Sequence, residues 1–355
     1  MTIDSTFMHR CLQLARKGES FAMPNPMVGA VIVHNGKIIG EGFHRQFGQP
    51  HAEVNAFHSV KDESLLPEST MYVSLEPCSH YGKTPPCAEL IVAKKIPRVV
   101  VATTDPNPEV AGRGIEILEK NGVKVTVGVL QEQARELNRV FFVNQLHKRP
   151  YIILKWAESK DGFMDQLRTS RDEAPAKLSN ALTQNVVHKL RTTVQGIMVG
   201  TNTALLDNPH LTARKWFGTN PTRIVVDREG KIPTNSAIFN EEAPTIVFTE
   251  CAPIEWSKSS TVKFIEIDFK KDTNLQIINK LYEEKTHSVL IEGGAALLTS
   301  FIDAEMWDEA YIETSQKTLF SGVKSPEIQR TSGNAKKYLD SIQFHLKNKI
   351  TRNFL

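Results

Sequence analysis

An α/β fold in two successive domains is what the sequence predicts, and three observations carry that expectation. The chain has 355 residues, and at roughly 150 residues per domain that length accommodates two cores. Short apolar, strand-like runs alternate with helix-patterned segments, which is the pattern of layered α/β structure. The alternation restarts near Pro150, so the domains are placed at 1–147 and 148–355.

The elements follow in order. Phe7–Lys17 spaces its apolar residues as a helix does, with Gly18 suited to a C-cap. Val28–Val33 and Ile38–Glu41 flank Asn35-Gly36, a strong two-residue hairpin signal. His51–Val60 reads as a helix led in by Pro50, Met71–Leu75 as a strand, Ala88–Lys95 as a helix and Arg98–Thr103 as a buried strand. A helix Gly114–Asn121, a strand Val123–Val127 and one long helix Gln131–Gln145 complete the first domain. In the second, Tyr151–Trp156, Gly196–Val199, Thr222–Val226, Thr245–Phe248 and Ser288–Ile291 read as strands, and Thr183–Arg191 and Ala295–Ile302 as helices.

Composition narrows the function classes. Apolar residues make up 40% and charged residues 23%, as in ordinary soluble proteins. The net charge of +3 and the lack of a long Lys/Arg run argue against nucleic acid as a partner. No apolar run approaches the roughly 20 residues of a membrane span, and Met1–Arg10 lacks the apolar core of a signal peptide. Four cysteines are too few for a disulfide scaffold at this length, so the expected compartment is the cytoplasm.

The strongest chemistry lies in His51-Ala52-Glu53, followed by Pro77-Cys78 and Cys87. Zinc takes imidazole and thiolate ligands in a tetrahedron, and a catalytic zinc keeps one position for water. One His and two Cys leave such a position. Glu53 is too close to His51 in sequence to be a comfortable second ligand, but one helical turn lets it reach the water as a proton shuttle. A closed structural site, with His80, His44 or Cys11 as a fourth ligand, is the competing arrangement.

The runs Pro24-Asn25-Pro26-Met27-Val28-Gly29, Gly40-Glu41-Gly42-Phe43-His44, Pro50-His51-Ala52-Glu53-Val54 and Leu75-Glu76-Pro77-Cys78 through Cys87 resemble the deaminase half of bifunctional riboflavin biosynthesis proteins. Eight residues separate the two cysteines, whereas cytidine and tRNA adenosine deaminases carry Cys-x-x-Cys. The resemblance continues through Asp105-Pro106-Asn107-Pro108 and Gly112-Arg113-Gly114. It implies a cytidine-deaminase-like three-layer domain in which His51, Cys78 and Cys87 bind Zn2+ and Glu53 shuttles the proton. It also implies that Asn25, His44 and Lys83 line the substrate pocket. Asp105 could cap a turn or touch substrate. Gly112-x-Gly114 is no dinucleotide fingerprint, since Ile117 holds the third position and no strand precedes it.

In the second domain, Ser288–Ile291, Glu292-Gly293-Gly294 and Ala295 form a strand, a glycine turn and a helix start, which can present free N–H groups to a phosphate. Together with Arg191, Gly196–Thr203, Asp207–Arg214 and Pro221–Asp227, this resembles the reductase half of the same family, a dihydrofolate-reductase-like α/β domain. The resemblance implies that Lys177, Thr203, Asp207, Gly294, Ala295, Ala296, Leu297, Leu298, Thr299 and Ser300 contact NADPH, with Glu158 supplying a backbone contact. It implies that Arg191, Leu211, Arg214 and Glu292 contact substrate, the two arginines by gripping a phosphate. Two departures stand out: Ser159-Lys160-Asp161-Gly162-Phe163 replaces Ser-Leu-Asp-Gly and a basic residue, and Lys177 stands where the family has Trp. Weaker cofactor binding is expected from the second.

The implied activity is hydrolytic deamination of 2,5-diamino-6-(5-phosphoribosylamino)pyrimidin-4-one, then NADPH-dependent reduction of the ribosyl chain of the resulting uracil to ribityl. The expected partners are this small phosphoribosylaminopyrimidine and further copies of the chain in a homo-oligomer, with neither nucleic acid nor a membrane. The alternatives are a deaminase with a non-reducing second domain, a nucleic-acid base deaminase with an appended binding domain, and a structural zinc module.

Overall fold

The structure, a computed structural model, describes residues 2–81, 85–107, 110–252, 261–330 and 335–348. The chain divides into two compact units, one up to Lys148 and one from Arg149 onwards. Among the described residues, no helix is long and apolar enough to cross a membrane.

The first unit contains α1 (Ile3–Ala15), β1 (Gly29–His34), β2 (Lys37–Phe43), α2 (Ala52–His58), β3 (Thr70–Val73), α3 (Cys87–Ala93), β4 (Arg98–Val101), α4 (Arg113–Lys120), β5 (Lys124–Val127), α5 (Gln131–Leu137) and α6 (Arg139–His147). Its sheet runs β2-β1-β3-β4-β5, with β1 antiparallel to both neighbours and β3, β4 and β5 parallel. The β1–β2 turn has positive φ at both Asn35 (48°) and Gly36 (74°), as a type I′ hairpin requires.

Strand β1 shows why three layers form. Side chains alternate across a strand. Ala30 and Ile32 enter the core beneath α2, α3 and α4, whereas Val31 and Val33 enter the opposite core beneath α1 and α5. A strand buried on both faces reads as a continuous apolar run, which is how Ala30–Val33 reads.

The helix that carries Glu53 packs unusually close to its strand. A Cβ on Gly42 would lie 2.3 Å from both the Ala52 carbonyl oxygen and the Ala56 nitrogen, and one on Gly40 would lie 2.7 Å from the Ala56 carbonyl oxygen. The Gly40-Glu41-Gly42 pattern is therefore the floor on which α2 rests. Asn55 adds a latch, donating from Nδ2 to the carbonyls of Phe43 (2.9 Å) and Pro50 (3.2 Å).

One expected element is corrected. The predicted helix 131–145 is two helices broken at Asn138, whose backbone leaves the helical region (φ −104°, ψ 23°). Asn138 is buried, and its side-chain amide brackets Met27, accepting from its N–H (2.8 Å) and donating to its carbonyl (2.9 Å). A short polar side chain competing for local backbone groups disfavours an uninterrupted helix.

The second unit contains β6 (Tyr151–Glu158), β7 (Phe163–Asp165), α7 (Ala181–Arg191), β8 (Gly196–Gly200), α8 (Thr201–Asp207), β9 (Thr222–Val226), β10 (Thr245–Thr249) and β11 (Val262–Glu266). It continues with α9 (Thr273–Glu283), β12 (Ser288–Glu292), α10 (Ala295–Asp303), β13 (Glu309–Ser315), β14 (Val323–Lys324), β15 (Ala335–Tyr338) and β16 (Ser341–Lys347). The main sheet runs β11-β10-β9-β8-β12-β6-β13-β16-β15. It is parallel from β11 to β13, and β16 and β15 add antiparallel pairings at one edge. Ligand sites in such sheets open beyond the carboxyl ends of the parallel strands.

Gly42→Ala should displace α2 and destabilise the first unit by about 1–3 kcal/mol, the usual cost of overpacking. A lowered denaturation midpoint is the expected reading. An unchanged midpoint would show that the close packing of α2 is not required.

Candidate metal centre and nucleotide cavity

His51 stands at the N-cap of α2 and Glu53 in its first turn. Cys78 lies in the loop after β3, and Cys87 is the first residue of α3. The fold thus brings three sequence-distant donors together: His51 Nδ1 is 3.5 Å from Cys78 Sγ and 3.4 Å from Cys87 Sγ. In a tetrahedron with Zn–N of about 2.0 Å and Zn–S of about 2.3 Å, the N···S edge is about 3.5 Å, so the spacing fits zinc. All three donor atoms lie within 4.8 Å of one another, and the described residues contain no other such group of three or more His, Cys, Asp or Glu ligands.

The competing fourth ligands are not placed to join them. Cys11 is fully buried in the α1 core, its thiol directed to the Tyr72 carbonyl (3.3 Å). His44 uses both ring nitrogens, Nδ1 toward the Pro50 carbonyl (3.2 Å) and Nε2 toward the Asn25 amide (3.2 Å). The consistent tautomer donates from Nδ1 and accepts at Nε2, and burial holds this imidazole below its ordinary pKa. His80 is exposed at the cavity rim.

The electrostatics favour a charged sulfur. A hydrogen bond from Cys87, supported by His51, lowers the Cys78 thiol to about 4, while the same bond and burial push Cys87 up. The hydrogen bond to Cys78 raises the His51 imidazole. Burial pushes the Glu53 carboxyl up to about 7. A carboxyl near neutrality can both take and give a proton.

His51, Glu53 and Cys78 line a cavity of about 320 Å³ together with Asn25, His44, Asp105, Asn107, Phe141 and Gln145. Lys83 lies outside the described residues. Glu76, a buried carboxylate not singled out in the sequence, holds the far rim by accepting from the backbone N–H of Asp105 (3.1 Å), Gly112 (3.0 Å) and Gly114 (3.0 Å). A Cβ on Gly114 would lie 2.0 Å from the Pro77 carbonyl oxygen. Gly114 therefore seats α4 against the cysteine loop. Asp105 both lines the cavity and caps its own turn, accepting from Asn107 N–H (2.8 Å).

The second unit has a larger cavity, about 1100 Å³, at the carboxyl ends of β6, β8 and β12. Its walls include Lys177, Thr203, Asp207, Gly294, Ala295, Ala296 and Leu297, and also Arg191, Leu211 and Glu292. Gly293 and Gly294 both have positive φ (80° and 77°), which frees the turn ahead of α10.

The other expected contacts lie outside this lining. Leu298 points into the hydrophobic core, and Thr299 and Ser300 lie beyond the lining, Ser300 bonding back to the Leu297 carbonyl (2.8 Å). The Glu158 carboxylate is committed to Trp156 Nε1 (3.1 Å), Thr314 Oγ1 (3.0 Å) and Arg330 (2.7 Å), which leaves only its backbone for the expected contact. Arg214 is exposed and outside the lining too. Arg191 lines the cavity, but its guanidinium grips Glu292 through two bonds (2.9 and 2.7 Å) and the Thr212 carbonyl through a third (2.8 Å). It is thus placed to orient Glu292 rather than to present a bare fork to phosphate.

Sequence reasoning missed two further charged residues. Lys155 of β6 lines the cavity and sits in register with Glu292 of β12. Arg168, with only 3% of its side chain exposed, pairs with Asp165 (2.6 Å) and with Asp207. Neither carried a local motif; only strand register and loop closure bring them in.

Comparison with known proteins agrees with both halves. A family model described as the RibD C-terminal domain matches residues 150–319, and one described as the cytidine and deoxycytidylate deaminase zinc-binding region matches residues 1–103. The riboflavin biosynthesis protein RibD of Aquifex aeolicus is 41% identical over 330 residues, covering 92% of this chain and 90% of the relative. That of Bacillus amyloliquefaciens is 36% identical over 333 residues, covering 92% and 88%. A diaminohydroxyphosphoribosylaminopyrimidine deaminase/5-amino-6-(5-phosphoribosylamino)uracil reductase from Thermotoga maritima matches with a TM-score of 0.87 at 35% identity, covering 98% of this chain and 99% of that one. RibD of Acinetobacter baumannii matches at 0.85 and 30% identity, covering 97% and 98%.

Arg191→Ala should destabilise the second unit by about 3 kcal/mol, because Glu292 is left largely buried without its partner. Burial alone would raise the Glu292 carboxyl, but Arg191 outweighs it and holds it below its ordinary value. A carboxyl lowered in the folded state stabilises above its unfolded pKa, and that contribution is lost as pH falls through the folded value. The difference between native and variant midpoints should therefore be full at neutral pH and shrink in acid. A difference independent of pH would contradict the pairing.

Proposed function

The chain belongs to the RibD family of riboflavin biosynthesis proteins, and on that premise we propose which residues perform the two reactions of a zinc-dependent deaminase fused to an NADPH-dependent reductase. His51, Cys78 and Cys87 hold the zinc and leave one position open. The observation that carries this is the donor triangle at tetrahedral spacing with buried Glu53 in the same cavity wall. Zinc bound there supplies a Lewis acid that activates water. Glu53 would take the protons given up by the attacking water and pass one to the neighbouring ring nitrogen and one to the departing amino group, so that the exocyclic C–N bond breaks, a C=O forms and ammonia leaves. Asn25 and His44 hold the pyrimidine, and Lys83 meets the ribose phosphate on the strength of the family resemblance.

In the second unit, the start of α10 at Gly294–Leu297 offers backbone N–H groups to a cofactor phosphate. Thr203, Asp207 and Lys177 complete that wall. NADPH bound there supplies the hydride that converts the ribosyl chain to ribityl. Glu292, oriented by Arg191 and beside Lys155, faces the sugar, and Leu211 packs against the base. The cytoplasm is the inferred compartment, supported by four unpaired cysteines.

Glu53→Gln should retain zinc yet lose ammonia release by about a hundred- to ten-thousandfold or more. Reduction of separately supplied deaminated substrate should continue at the native rate. Near-native ammonia release would show that the shuttle is another group.

A further inference from the structure

The zinc donors and Glu53 lie within the region shared with cytidine and deoxycytidylate deaminases, which ends at residue 103, and the reductase region begins at 150. Helix α6 falls between them, yet two of its side chains, Phe141 and Gln145, line the deaminase cavity. Their spacing of four places them on one face of the helix, and Asn138 stands at its N-cap. Asn138 is the residue that breaks the helix to bracket Met27, two residues from Asn25. The break therefore ties the orientation of α6 to the loop that carries a substrate contact.

We infer that α6 is the specificity-determining wall of the deaminase site, with Phe141 packing against the pyrimidine ring, Gln145 bonding its polar edge, and Asn138 positioning both. An aromatic side chain suits a planar heterocycle. A primary amide both donates and accepts, as the mixed N–H and C=O edge of a diaminopyrimidinone demands. Shared zinc chemistry cannot by itself distinguish this substrate from cytidine, whereas an element outside the shared region can. The inference rests on the deaminase reading above and deepens it.

The test is steady-state ammonia release by the full zinc-loaded chain from the diaminopyrimidine substrate, with Phe141→Ala, Phe141→Leu, Gln145→Ala and Asn138→Ala. The expected result is a KM raised about 10- to 100-fold in Phe141→Ala, as loss of a buried aromatic contact implies. The rise should be smaller in Phe141→Leu and several-fold in Gln145→Ala. Asn138→Ala should raise KM as well. Throughout, kcat, zinc content and reduction of supplied deaminated substrate stay near native. Should Phe141→Ala fail to fold, Phe141→Leu and Gln145→Ala carry the test. Native-like KM in the folded Phe141 and Gln145 variants, or a fall in kcat at unchanged KM, overturns the inference and leaves the deaminase reading intact. A native chain that releases no ammonia removes the reading and the inference with it.

Discussion

Three donor atoms must arrive within one tetrahedral edge of each other from three separate segments, and most of the first unit is arranged around that constraint. His51 is fixed because α2 rests directly on the glycines of β2 and is latched by Asn55. Cys87 is fixed because it begins α3, and its own N–H points back to Cys78 Sγ (3.3 Å). Cys78 is fixed because the preceding Glu76-Pro77 is clamped to the 105–114 segment by three backbone N–H groups and the close approach of Gly114. Each device engages the backbone directly, by close packing or through a short side-chain bond to a main-chain group.

The second unit solves a different problem. Its cavity is wide and must orient flexible, charged ligands, and its charged walls are paired before any ligand arrives. Arg191 holds Glu292, and Arg168 holds Asp207 against the loop that begins at Asp165. Paired charges in a largely buried wall avoid the cost of isolated ones. The same pairing leaves the Arg191 guanidinium, which resembles a phosphate clamp in sequence, bonded to a neighbouring carboxylate.

Much of this was legible in the sequence because the informative features are local. Asn35-Gly36 marks its hairpin, His51-x-Glu53 with Pro77-Cys78 marks the metal site, and Gly293-Gly294 marks the turn before α10. What was not legible depends on distant partners. The break at Asn138 has no proline or glycine to announce it, since its cause is Met27, more than a hundred residues away in the chain. Strand β13 was missed because Glu309 and Glu313 occupy fully buried positions and spoil the apolar pattern. Along α10 the sequence does not show which residues face the cavity, because a helix turns, and Leu298 faces the core.

The central claim is an open three-ligand zinc site, and X-ray absorption at the zinc edge of the purified chain tests it most directly. The predicted first shell is two sulfurs at about 2.3 Å, one imidazole nitrogen at about 2.0 Å and one further light atom without imidazole outer-shell scattering. A shell with two imidazoles, or with three or four sulfurs, would contradict the account.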